Sequence, residues 1–203
     1  IKGVTGLKIL GTDRVTGIAF EQGGAKREEQ VDHVLLHQGV VPNANLTWSL
    51  RLEHQWDEMQ RSWRPSTDDW WRSSVESVSV AGDGSGIVGA KGAEYAGAIA
   101  GLGAAADLNL ISREDALSRA APLRAEFRSN QAARPFLDAL YKPGREWIVP
   151  RDPETIVCRC EEIKAGELRR IVTEQNCPGP NQMKSFVRCG MGPCQGRLCG
   201  LTV

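Results

Sequence analysis

The first 157 residues of this 203-residue chain contain no cysteine. A set of disulfides spread along a secreted fold is thereby excluded. An excess of one charge is lacking too, since 25 basic residues balance 25 acidic ones. No run of Lys and Arg breaks that balance, so the electrostatic footprint of a nucleic-acid-binding protein is missing. Long hydrophobic runs are also scarce. The longest candidate, Tyr95 to Ala106, is twelve residues and is closed in by Lys91, Glu94 and Asp107. A bilayer span needs about 20 residues, so no transmembrane segment is expected. The chain opens on Ile1 rather than Met, with no secretory leader pattern, and reads as a piece of a longer polypeptide.

What is present is an ordinary globular composition, 41% apolar and 25% charged, which excludes wholesale disorder. Leu7–Leu10 and Val15–Phe20 read as a hairpin joined at Gly11-Thr12-Asp13-Arg14. A polar, Gly-containing stretch follows from Glu21 to Gln30. Val31–His37 is a further strand candidate, ended by Gly39 and the Pro42-Asn43 turn. Five of the six tryptophans (Trp48, Trp56, Trp63, Trp70, Trp71) fall between residues 46 and 74. They suit packing in a core or an interface. Val75–Ala81 reads as a short strand running into a helix that begins near Gly86. Between Gly86 and Ala106, 14 of 21 residues are Gly or Ala. Glycine weakens helices, so the pattern predicts close approach to a strand, another helix or a ligand. Ser112-x-x-Asp115 resembles a capping box and opens a second helix to about Tyr141, with a possible break at Pro122. Residues 144–154 read as a linker. His33, His37 and His54 have no metal-ligand spacing and suit surface or packing roles.

Gly84-Ser85-Gly86-Ile87-Val88-Gly89 matches G-x-G-x-x-G. A complete dinucleotide unit would carry a second strand with an acidic residue about twenty positions on, and here another helix follows instead. The order strand, Gly82-Asp83, helix fits another use. A helix N-terminus offers free N–H groups and a favourable dipole to an electron-rich ligand, and Asp83 offers an acceptor for ribityl hydroxyls.

Val78 to Ala106 resembles the second FAD-contacting motif of the pyridine-nucleotide–disulfide oxidoreductase superfamily, the flavoproteins with two dinucleotide-binding domains. Val34 to Asn43, with Gly39-Val40-Val41-Pro42-Asn43, resembles that superfamily's strand returning from the NAD-type to the FAD domain. The first FAD motif has no counterpart here. The resemblance implies a partial α/β dinucleotide-binding fold: residues 1–45 ending the NAD-type domain and 46–143 completing the FAD domain. It also implies FAD contacts at Gly82, Asp83, Gly84, Gly86 and Ile87.

All six cysteines lie in the 42 residues from Cys158 to Cys199, a concentration that points to metal or redox chemistry. Cys158 and Cys160 sit two apart. In an extended segment they share a side, roughly 6–7 Å apart at Cα, within reach of one metal. Cys189, Cys194 and Cys199 alternate with glycines in a loop able to aim backbone N–H groups at sulfur, which tunes iron–sulfur potentials. Between the two groups, Ile163–Gln175 carries the pattern of a helix. Four thiolates also satisfy zinc, although zinc more often uses paired C-x-x-C knuckles. Cys177 stands outside both groups. Cys189/Cys194 and Cys194/Cys199 have the same spacing. On a helix, five positions is about 140° out of line, so each pair needs a glycine break and physics does not choose between them.

Residues 155–203 resemble the bacterioferritin-associated-ferredoxin-like [2Fe–2S] domain, a small and mainly helical unit. The likeness is close to the form fused to amine- and opine-oxidising flavoproteins, on Val157-Cys-Arg-Cys-Glu-Glu162, Met183 to Arg188 and the run to Gly200. The resemblance implies Cys158, Cys160, Cys194 and Cys199 as ligands, with Cys189 a near neighbour. It further implies an alpha-type subunit of the opine oxidase, D-hydroxyproline dehydrogenase or cyanide-forming glycine dehydrogenase kind. Such a subunit takes electrons from a C–N bond of an amino-acid derivative through FAD and a [2Fe–2S] cluster. Its partners would be a second flavoprotein subunit, which oxidises the amine, and an acceptor such as a quinone or another redox protein. The implied location is the cytoplasm, with contact to the inner face of the membrane only through partners. Two other readings stand beside this one: an electron-relay or docking module without catalysis, and a zinc-stabilised interaction domain.

Overall fold

The computed structural model describes residues 3–37 and 39–203. They fall into two compact units, one before Gly39 and one from Gly39 to Val203.

The first unit is an antiparallel meander of β1 (Val4–Leu10), β2 (Gly17–Gln22) and β3 (Ala25–Gln30). The expected β1–β2 hairpin forms, and Leu10 pairs with Gly17. β3 occupies the stretch read from sequence only as polar. Gly23 and Gly24, both at positive φ, make the two-residue turn that hairpins favour. The register of β2 against β3 then runs unbroken from Gln22↔Ala25 to Gly17↔Gln30. Every residue of β3 is exposed, so it shows none of the alternation by which strands are recognised.

Val31–His37 forms no strand, contrary to expectation. A strand needs a hydrogen-bonding neighbour, and none of the described strands pairs with this stretch. Leu35 and Leu36 are exposed. Gln38, part of the expected return strand, lies outside the described residues.

The second unit opens with the short helix α1 (Asn45–Ser49) and the hairpin β4 (His54–Asp57)–β5 (Ser62–Pro65). Tryptophans pack this corner. Trp56 and Trp63 meet edge to face, and Trp48 stacks on His54 at 3.6 Å between ring centroids. His54 is satisfied locally, through Thr47 Oγ1 and the Leu52 carbonyl, each at 2.8 Å. It plays the packing role expected of it.

Val75–Ala81 is not a strand either. It makes a single bridge, Ser79 to Arg72. Its backbone serves a tight loop, with Val78 O accepting from Ser73 N and Val80 N donating to Trp71 O. The chain then makes a 3₁₀ turn at Gly82–Ser85. Helix α2 (Ala90–Asp107) starts four residues later than the sequence suggested. The cause is local, because Gly86 and Gly89 take φ of +134° and +80°, outside the helical region.

Close approach explains two of the four glycines of α2, Gly92 and Gly103, while Gly97 and Gly101 face open space. A Cβ on Gly103 would press on the Trp70 ring at 3.0 Å, and one on Gly92 would meet the Gln131 amide at 2.6 Å. Gln131 ends α3 (Arg113–Gln131), which is capped by Ser112 Oγ accepting from Asp115 N at 3.0 Å. α3 continues unbroken through Pro122, a residue that costs about 3 kcal/mol inside a helix. Packing against α2 offsets this, with Ala96, Ile99, Ala116 and Ala120 fully buried. α4 (Arg134–Leu140) completes the expected helical stretch, and α5 (Arg145–Ile148) lies within residues read as linker.

The tail contains the hairpin β6 (Ile156–Cys158)–β7 (Ile163–Lys164), then α6 (Ala165–Glu174) and α7 (Pro180–Val187). The helix read over 163–175 thus begins at Ala165, its first two residues pairing in β7. Leu168 and Ile171 of α6 and Met183 of α7 are buried with Cys158, Cys177, Cys189 and Cys199 in one core.

Candidate functional site

Four short segments bring five thiols together. Cys158 ends β6, and Cys160 lies in the turn that Glu162 closes at a φ of +55°. α7 stops at Arg188, which is left-handed, and this turns the chain so that Cys189 faces inward, buried to 2% exposure. Gly190 and Gly196, also left-handed, shape the loop that carries Cys194 and Cys199. The Sγ atoms of Cys158, Cys189 and Cys199 lie within 4.8 Å of one another, and all three residues are buried. Cys160 and Cys194, half-buried, stand outside this trio as neighbours whose thiols perturb each other. Cys177 stays outside, its thiol donating to the Gly179 carbonyl at 3.4 Å.

The backbone supplies the polar environment. Burial would raise the Cys158 thiol, but N–H donors of Gly190 and Glu161 outweigh it and hold the pKa below its ordinary value. N–H groups of Leu198, Gly196 and Arg197, with the Cys160 thiol, lower Cys194. Cys160 receives the N–H of Cys194, yet the neighbouring Cys194 thiol leaves it raised. Burial lifts Cys199, and burial with two adjacent sulfurs pushes Cys189 up to about 12. Gly192 closes the arrangement, since a Cβ there would overlap the Cβ of Cys160.

As a donor set these residues fit an iron–sulfur group. Soft thiols converge, and N–H groups point at sulfur. Of the four positions expected from sequence, the close buried group contains Cys158 and Cys199, while Cys160 and Cys194 lie beside it. Cys189, set aside as a neighbour, sits as deep as Cys199. Sequence spacing could not show this, because its placement depends on the left-handed residues 188 and 190. Cys189 and Cys199 also line a cavity of about 870 Å³ that Trp48 and Trp63 line as well.

The glycine turn is built differently from the expectation. Asp83 Oδ1 accepts from the N–H groups of Val88 and Gly89 at 2.8 and 2.9 Å. The Ile87 N–H donates to Gln60 Oε1 and the Ile87 carbonyl accepts from Gln60 Nε2, both at 2.9 Å. The expectation that the N–H groups at the start of the helix are free and point outward is corrected for Ile87, Val88 and Gly89, which donate to Gln60 and Asp83. Gln60 is a residue that sequence reasoning missed, and nothing in its local pattern marks it. Asp83 itself remains exposed. Ser85, Gly86, Ile87 and Val88 border a cavity of about 480 Å³ that Arg64 and Arg128 also line. The turn thus fits a flavin as a wall with an exposed carboxylate, and does not fit it as an N–H cradle.

No protein-family model matches the chain, and no solved structure matches it. Curated proteins do. It is 46% identical over 203 residues to the A subunit of opine oxidase from Rhizobium meliloti, covering all of this chain and 38% of that protein. Against the A subunit of opine oxidase from Agrobacterium tumefaciens the identity is 44% over 203 residues, covering 40% of that protein. The HcnB subunit of hydrogen cyanide synthase from Pseudomonas aeruginosa is 29% identical over 161 residues, 79% of this chain and 34% of that protein. From end to end, the chain is similar to the A subunits of the opine oxidases and spans 38–40% of their length.

Proposed function

We propose that this chain is part of an oxidoreductase subunit that works in a multi-subunit complex and holds FAD and a [2Fe–2S] cluster. The observation that carries the reading is the convergence of three buried thiols, with two more beside them, under backbone N–H donors, in a chain similar throughout to the A subunit of opine oxidase. The partial α/β dinucleotide-binding fold and the domain limits 1–45, 46–143, 144–154 and 155–203 belong to the same proposal.

Bound here, a flavin would supply two-electron chemistry and a [2Fe–2S] cluster one-electron transfer, with the protein positioning and tuning them. Cys158, Cys160, Cys194 and Cys199 hold the cluster, and the 190–198 loop shields it from water while hydrogen-bonding its thiolates. Asp83 fixes the turn before α2 and presents an exposed carboxylate to the ribityl arm, with Gly82, Gly84, Gly86 and Ile87 forming the wall. The substrate is an amine derived from an amino acid, of the opine, proline or glycine type. A second flavoprotein subunit binds it, and a quinone or redox protein takes the electrons. The complex works in the cytoplasm, and no described helix is long and apolar enough to cross a membrane.

The full-length subunit, purified anaerobically, tests this. It should be brown, with about two irons and two acid-labile sulfides per chain and bound FAD. Stoichiometric zinc without sulfide would overturn the cluster assignment. One observation favours a second reading, a relay module without catalysis: the N–H groups at 87–89 are already engaged. A full-length subunit with iron and sulfide but no flavin would select it.

A further inference from the structure

A cluster of the two-iron, two-sulfide kind takes four thiolates. Each iron has four sulfur positions, two of them filled by bridging sulfides. The fold assembles five thiols, one more than the cluster can use. Their grouping places the extra one among the buried three. With metal–sulfur bonds of about 2.3 Å, two thiolates on one tetrahedral metal lie about 3.7 Å apart. The buried trio Cys158, Cys189 and Cys199, within 4.8 Å, is near that scale, and the half-buried Cys160 and Cys194 neighbour each other outside it.

Resting on the iron–sulfur reading above, we infer that ligation crosses the two sequence motifs and is redundant on one side only. Cys160 and Cys194 hold the outer iron. Cys158 and Cys199 hold the inner iron, and Cys189 is its reserve ligand. The trio already lies within 4.8 Å, so moving Cys189 into the place of Cys199 needs a shift of only about 1 Å to reach the spacing of one metal. Gly190, immediately beyond Cys189 and loosely surrounded, lets the chain make that shift. Cys189 adjoins Cys158 and Cys199, and the pair Cys160–Cys194 has no third thiol in the same position.

The exchange is a choice of ligand made at assembly, without electron transfer. At assembly an Fe–S bond forms at Cys189 Sγ, its thiol proton passes to solvent, and the position that Cys199 would have filled is closed. Both irons keep their oxidation state.

The test is a set of variants of the full-length subunit, purified anaerobically and read by iron and sulfide content, visible absorption and the electron paramagnetic resonance of the dithionite-reduced protein. Cys189→Ala should keep the wild-type spectrum. Cys199→Ala should keep at least half of the wild-type iron and sulfide, with a shifted spectrum. The Cys189→Ala/Cys199→Ala double variant should fall below one tenth, as should Cys160→Ala and Cys194→Ala. Equal loss in Cys199→Ala and Cys160→Ala overturns the inference, and so does a cluster in the double variant. Should Cys199→Ala fail to fold, the near-isosteric Cys199→Ser decides. A spectrum unchanged by adding Cys189→Ala would mean that the serine oxygen ligates and Cys189 does not, which overturns it. Wild-type protein without iron and sulfide would instead defeat the iron–sulfur reading itself.

Discussion

Gly192 lies so close to Cys160 that a Cβ at position 192 would overlap the Cβ of Cys160, with the Cys160 Sγ and a Glu161 carboxylate oxygen each 3.2 Å away. The glycine is thus a spacing element between the two cysteine motifs. The loop that carries Cys194 can reach Cys160 only because position 192 has no side chain.

Gly192→Ala should therefore push the 190–199 loop away from the β6–β7 turn. Overpacking of this kind costs about 1–3 kcal/mol. The expected outcome is lower iron and sulfide content in the full-length subunit, with the α2–α3 pair intact. Iron analysis beside thermal melting checks it. Wild-type content and melting would show that the loop accommodates a methyl group.

Asp83→Ala removes the acceptor that holds the N–H groups of Val88 and Gly89. Loss of a comparable helix-capping acceptor costs about 1 kcal/mol. FAD occupancy of the full-length subunit should fall, which flavin released on denaturation measures. Asp83→Asn, which keeps an acceptor oxygen, should restore much of the stability; if it restores the flavin as well, the charge of Asp83 is irrelevant to binding.

Arg72 ties the loop before the glycine turn to the end of α2, donating to both oxygens of Asp107 at 2.7 and 2.6 Å. Those hydrogen bonds hold the Asp107 carboxyl below its ordinary pKa of 3.8. A carboxylate depressed by folding stabilises fully above its unfolded pKa, and the contribution is lost as pH falls through the folded value. The pair is half exposed, so water screens it to at most about 1 kcal/mol. Asp107→Asn should lower stability by that small amount at pH 7, and the difference from wild type should shrink steadily below about pH 4. Urea unfolding at both pH values checks this.

Removing the metal should unfold the tail selectively. Of the seven buried residues in its core, four are cysteines, leaving Leu168, Ile171 and Met183 as the other apolar members. Metal binding and folding are linked in such small cores. After chelation, hydrogen exchange should lose protection in α6 and α7 and keep it in α2 and α3. Uniform protection in both states would show that the tail folds without metal.

The parts of this fold that could be read from sequence are those with a short-range cause. The β1–β2 hairpin follows from two apolar runs around a turn, and the α3 start from Ser112 and Asp115. β3 was invisible because Lys26, Arg27, Glu28 and Glu29 face solvent and the strand exists only through its ladder with β2. Val31–His37 and Val75–Ala81 had strand-like composition, but none of the described strands takes them up as a neighbour. At the site, the cysteine spacing located the thiols but not their depth. Cys189 is brought inward by left-handed backbone at Arg188 and Gly190, and Gln60 reaches Ile87 across 27 positions. Neither placement has a local pattern.

The hydrogen bonds that reach Cys158 and Cys194 from Glu161, Gly190, Gly196, Arg197 and Leu198 all come from main-chain amides. Apart from a change to proline, no point substitution deletes such a donor. The side chains of Met191, Arg197 and Leu198 are exposed and are released from any duty toward the sulfurs. Their identities can drift with whatever surface the loop meets, while the electronic setting of the thiols is inherited through the path of the chain.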